Sequence, residues 1–232
     1  MWGYYTSYWL LIPAILFTFY AQAKVSSNFK RYSKVKNDRG LTGAQAARIV
    51  LDANGLRDVQ IESVSGSLTD HYDPRAHVLR LSQTVCNVNS VAAISVACHE
   101  AGHAIQHAEN YLPLKVRNGV VPVVNLASNL CWPLAIIGII LLGNGSYIGD
   151  TLFNIAVIAM LAVIFFHAVT LPVEFDASNR ALKQMEALHI VDDMEITGAK
   201  KVLRAAAMTY LAALAMAIAN LLRLFAMRGN RD

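Results

Sequence analysis

The chain is short of charge and of cysteine. Only 16% of its 232 residues are Asp, Glu, Lys or Arg, whereas soluble domains average about 25%. Between Arg117 and Arg180 there is neither Lys nor Arg. The three cysteines, Cys86, Cys98 and Cys131, show no paired spacing. An odd, unpaired set argues against a disulfide framework. No internal repeat and no low-complexity segment interrupts the chain. The net charge of +4 comes mostly from basic clusters beside the apolar runs, which act as topology anchors for anionic headgroups, and this argues against nucleic acid as a partner.

Apolar residues make up 55% of the sequence, and they come in blocks. Trp2 to Ala23, Val120 to Leu142 and Thr151 to Leu171 each approach the roughly 20 residues that a bilayer requires. Ala205 to Met227 is a fourth run, weakened by Asn220 and Arg223. It spans, lies in the interface or re-enters, and spanning is preferred here. The fold class expected is a mainly α membrane protein. Three to four transmembrane helices carry a small α+β, zincin-like cytoplasmic domain with a short antiparallel sheet.

Ala21-Gln-Ala23 looks like a signal-peptidase site. Yet Met1 to Tyr8 has no Lys or Arg, while Lys24, Lys30, Arg31, Lys34, Lys36 and Arg39 follow the run. That asymmetry favours a retained anchor with its N-terminus outside. The expected organisation is then an anchor at 1–23, a cytoplasmic domain at 24–119 and a transmembrane hairpin at 120–171. A cytoplasmic helical segment follows at 172–204, and a fourth apolar helix with its tail at 205–232. Both basic clusters fall inside on this topology.

Within the first cytoplasmic segment, Leu41 to Gly55 reads as a helix. Thr42 with Gln45 forms a capping box, and Gly55 suits the left-handed C-terminal position. Val59 to Val64 and His77 to Ser82 alternate as strands do. Asp70-His-Tyr-Asp-Pro74 between them reads as a turn, although His71 and Asp73 have ligand chemistry. Val78 to Ser82 is a candidate substrate edge for β-augmentation, or else an internal strand.

The most specific signal is Cys98-His-Glu-Ala-Gly-His-Ala-Ile-Gln-His107. Asn89 or Ser90 caps a helix that carries it. His99 and His103, four apart, lie one above the other on that helix and can hold one ion. Glu100 can reach a water at the ion without being a ligand, so it is the candidate general base. His107 lies about 12 Å along the helix from His99 and reads as a rim residue. Cys98 points off the histidine face and reads as packing.

A third ligand has to come from elsewhere. Pro172-Val-Glu174 follows the third apolar run, and Pro172 suits the first turn of a helix. Glu174 there can complete a site of two histidines and one glutamate with an open fourth position. Asp176 and His167 compete with it, and a carboxylate serving the helix dipole is the alternative account of Glu174. His71, His167 and Arg180 are candidates for orienting the site or lining the substrate cleft.

Leu68-Thr-Asp-His-Tyr-Asp-Pro-Arg75, Val78 to Ser82, Ala97 to Gln106 and Pro172 to Ser178 together resemble the YugP-type neutral zinc metallopeptidases. These are small bacterial membrane proteins, and the resemblance runs over nearly the whole chain. More distantly the chain is similar to HtpX and the CAAX prenyl endopeptidases. Their third zinc ligand is the Glu of a Glu-x-x-x-Asp helix, which maps onto Glu174. Ser178 stands at the Asp position, so the carboxylate that would orient a histidine is missing and its role has to be met differently.

Together these readings imply a Zn2+-dependent endopeptidase of the His-Glu-x-x-His, gluzincin type in the bacterial plasma membrane. Its expected substrates are membrane-associated or misfolded proteins at the cytoplasmic face. Its expected partners are the lipid bilayer, a protein or peptide substrate, and a membrane protein or a second copy of the chain. The alternative is a non-catalytic zinc-containing adaptor or quality-control scaffold.

Overall fold

A computed structural model describes residues 7–229. Trp2, Arg231 and the outer ends of the first and last expected segments lie outside the described residues. The chain is mostly helical, with one small sheet. Among the described residues, four helices are long and apolar enough to cross a membrane: Ser7–Tyr32, Leu112–Gly143, Tyr147–Ala187 and Asp193–Arg228. The last of these covers the fourth apolar run in unbroken helix.

The elements are α1 (Ile12–Tyr32), α2 (Gly43–Ala53), β1 (Gln60–Val64), β2 (His71–Asp73) and β3 (Val78–Ser82). They continue with α3 (Gln83–Cys86), α4 (Val91–Ala108), α5 (Leu112–Gly143), α6 (Tyr147–Ala187) and α7 (Asp193–Gly229). Two compact units emerge. Among the described residues, one comprises 7–21, 116–171 and 209–229; the other comprises 22–115 and 172–208.

The first unit is apolar. Cys131, Ala135, Phe153, Ala156, Met160 and Leu224 are buried together within it. Gly138 and Gly149 allow two helices to touch. A Cβ at Gly138 would stand 2.9 Å from the Gly149 carbonyl oxygen, and small residues make such close approach possible. Arg223, which weakens the fourth run, lies over the rings of Tyr8 and Trp132, at 4.1 and 4.9 Å from their centroids.

The second unit has its own core, built from α2, α4, the sheet and the segments on either side of the 188–192 turn. α2 begins as its sequence directs. Thr42 and Gln45 close a capping box, and Gly55 just past its end has φ +77°. α4 is capped by Ser90, whose Oγ accepts from the Ala93 N–H. Alanines line the buried face of α4, so neighbouring elements pack against its backbone closely.

Two expectations are corrected here. The sheet is mixed, not antiparallel. Its order is β1-β3-β2, with β1 parallel and β2 antiparallel to β3. The segment read as a turn holds the strand β2, which reverses the chain, so β3 runs again in the direction of β1. Val78 to Ser82 is therefore the central strand, bonded on both sides, and β2 is an outer strand. In addition, Pro172 does not start a helix. It lies inside α6, where a missing N–H is tolerated next to a membrane span. Glu174 thus sits in mid-helix, and no N-terminal dipole accounts for its presence.

Candidate metal centre

The second unit brings α4 against the part of α6 that follows Pro172. Gly102, between the two histidines, permits this. A Cβ on Gly102 would lie 2.6 Å from the carbonyl oxygen of Ala177. Glu174 and Ser178, one helical turn apart, flank that contact and both point at His99.

His99, His103 and Glu174 converge, with one donor atom from each lying within 4.8 Å of the others. Glu174 Oε2 stands 3.3 Å from His99 Nε2 and 3.6 Å from His103 Nε2. Donors held about 2.1 Å from a tetrahedral zinc ion stand about 3.4 Å apart, so the spacing fits that ion. The burial fits as well. The Glu174 side chain is 2% exposed, whereas His99 and His103 keep 13% and 12%. The carboxylate is the most deeply buried donor, and the two imidazoles keep a small exposure.

Each imidazole is also held from behind. His99 Nδ1 lies 3.2 Å from Ser178 Oγ, and His103 Nδ1 lies 2.9 Å from Gln106 Oε1. With both Nδ1 atoms engaged, both Nε2 atoms face Glu174. Burial disfavours the His103 cation, but Glu174 and Glu100 outweigh it and lift the imidazole above its ordinary value.

Glu100 lies on the same helix, and its Oε2 accepts from the backbone N–H of Tyr72 at 3.2 Å. The strand the sequence reading overlooked therefore orients the candidate base. Tyr72 reaches farther along α4, where its hydroxyl lies 3.0 Å from His107 Nδ1. Burial, then Asp58 and Asp73, raise the Tyr72 phenol above its ordinary value. Burial, then His77 and Lys115, lower that of His107.

Among the described residues, this is the one cluster able to hold a metal. A family model described as "Putative neutral zinc metallopeptidase" matches residues 7–229. The chain belongs to that zinc metallopeptidase family. A relative in Bacillus subtilis (strain 168), named "Putative membrane protease YugP", is 48% identical over 214 residues, covering 92% of each chain. No solved structure matches. The metallopeptidase thus pairs a zinc-family sequence with a donor set whose spacing suits zinc.

Other residues singled out by the sequence stand apart from this cluster. His71 is exposed on β2, with Nδ1 2.9 Å from the Thr69 carbonyl oxygen. Asp73 accepts from Arg80 at 2.7 Å and from the N–H groups of Arg75 and Ala76. The Arg80 bond, then those N–H groups, hold its carboxyl down at about 2. His167 packs its ring against Phe166 within the apolar unit. Asp176 faces Gln106 and Arg180, and Arg180 also bonds Glu109. Cys98 is fully buried, and burial pushes its thiol up to about 12, so it is packing.

Gln106 and Tyr72 escaped the sequence reading. Gln106 had one available signal, a lone amide among small and apolar residues one helical turn beyond His103. Tyr72 had none, because its backbone does the work.

Proposed function

We propose that the protein is a membrane-bound endopeptidase in which His99, His103 and Glu174 hold zinc and Glu100 is the general base. One observation carries the reading. Three donors meet at tetrahedral spacing, and both imidazoles are braced at Nδ1. That is a gluzincin donor set, with the fourth position free for reactants. When bound, zinc acts as a Lewis acid that polarises a peptide carbonyl and makes water a better nucleophile near neutral pH. Glu100 takes a proton from the attacking water as it adds to the carbonyl carbon. It then delivers that proton to the amine nitrogen as the C–N bond breaks. The Tyr72 N–H holds the Glu100 carboxylate in place beside α4.

An extended peptide would lie along the outer side of β2, next to Glu100. The central position of β3 removes the edge first expected there. The domain is read as zincin-like for its arrangement of sheet beside a metal-binding helix. The basic residues that follow the first apolar run support a multi-pass plasma-membrane topology with the site in the cytoplasm. Substrates are then membrane-associated or misfolded proteins near the inner surface. A non-catalytic scaffold would have a structural zinc site closed by four protein ligands; among the described residues three donors gather.

The test is Glu100→Gln in the full chain. It keeps zinc and loses hydrolysis of an unfolded protein substrate. Cleavage at the wild-type rate by that variant would exclude the mechanism.

A further inference from the structure

We infer that Gln106 is the positioning residue for His103, and that Val173 and Asp176 fix the direction of its amide. This rests on the reading of His103 as a zinc ligand. Gln106 is fully buried, and a buried amide needs partners for both its ends. Its Nε2 lies 2.8 Å from the Val173 carbonyl oxygen and 2.8 Å from Asp176 Oδ2. A carbonyl and a carboxylate only accept, so both of these bonds take amide N–H donors. Oε1 is left facing His103 Nδ1 at 2.9 Å.

The consequence for His103 is chemical. An acceptor at Nδ1 selects the tautomer with its proton there, and the Nε2 lone pair is left for the metal. Asp176 is itself secured as an acceptor. Arg180 Nε donates to it at 2.5 Å and Arg180 also reaches Glu109 at 2.6 Å. A chain of directed bonds thus runs from Arg180 through Asp176 and Gln106 to His103. Ser178 meets Nδ1 of His99 with a hydroxyl, which can either donate or accept. Both brackets are neutral, which leaves the imidazoles less basic than carboxylate partners would make them.

The experiment measures zinc affinity of the purified full chain by chelator competition, with helical content checked by circular dichroism. The cobalt-loaded protein supplies a second readout, the exchangeable histidine N–H signals shifted by the metal. Gln106→Leu fills the space without an acceptor. It lowers affinity by roughly 10–100-fold and makes one N–H signal exchange rapidly with solvent. Gln106→Glu keeps an oxygen for His103 but sets two carboxylates side by side, and affinity again falls. Adding Asp176→Asn restores a donor between them and recovers part of the loss, a rescue that mere space-filling would not give. Zinc lost in His103→Ala but held normally in Gln106→Leu would overturn the inference alone. An absent rescue in the paired variant would also overturn it. Zinc held normally in His103→Ala would overturn the reading of the site and the inference with it.

Discussion

Ser178 Oγ lies 3.2 Å from His99 Nδ1. One turn earlier on the same helix, Glu174 meets the other nitrogen of that ring at 3.3 Å. A single helix therefore contacts both ring nitrogens of His99. The partner at Nδ1 is a neutral hydroxyl. Ser178→Ala should weaken zinc binding by roughly 10-fold or more, as loss of an outer partner does. Ser178→Asp should restore tight binding, because a carboxylate makes the imidazole a stronger donor. Chelator competition on the two variants checks both outcomes.

Gly102 decides whether the two helices can meet. The Cβ added by Gly102→Ala would stand 2.6 Å from the Ala177 carbonyl oxygen, a backbone atom that cannot rotate away. We expect a loss of about 1–3 kcal/mol, typical of overpacking, together with reduced zinc content. A thermal unfolding midpoint and metal analysis on one preparation measure both. Full zinc with a lowered midpoint would mean that the contact serves stability alone.

Acid and zinc should act oppositely on the protein. The carboxylates of Glu174 and Glu100 raise His103 in the metal-free site. A raised histidine contributes stability below its unfolded value of about 6.5, and that contribution is lost as pH rises through the higher folded value. The metal-free protein should therefore lose this contribution as pH climbs above about 6.5. Zinc needs the neutral imidazole, so the zinc-loaded protein should gain stability over the same interval. Unfolding curves with zinc and with chelator across that interval should have slopes of opposite sign.

Much of the site was legible because its parts obey short-range rules. His99 and His103 follow the helical repeat, Thr42 and Gln45 cap α2, and Glu174 stands beside an apolar run. Other parts were hidden. β2 has three residues, too few for any alternation to show, so it looked like a turn and the sheet looked antiparallel. Pro172 obeyed a local rule that the length of α6 overrode. Gln106 meets partners far along the chain, which no local pattern records.

The proposed topology makes a separate prediction. The turn at Gly145 should lie outside and the loop at Ser67 inside. Cys86, Cys98 and Cys131 are all buried, so background labelling by a membrane-impermeant maleimide should be low. In intact cells Gly145→Cys should label and Ser67→Cys should not until the membrane is opened. The reverse pattern would move the site to the outer face.

The central claim is that Glu174 completes the zinc site with His99 and His103. Its most direct test is zinc content per chain in purified wild type, Glu174→Ala and His167→Ala. The wild type and His167→Ala should each retain one zinc per chain, and Glu174→Ala should lose it. Unchanged zinc in Glu174→Ala, or zinc lost only in His167→Ala, would contradict the account.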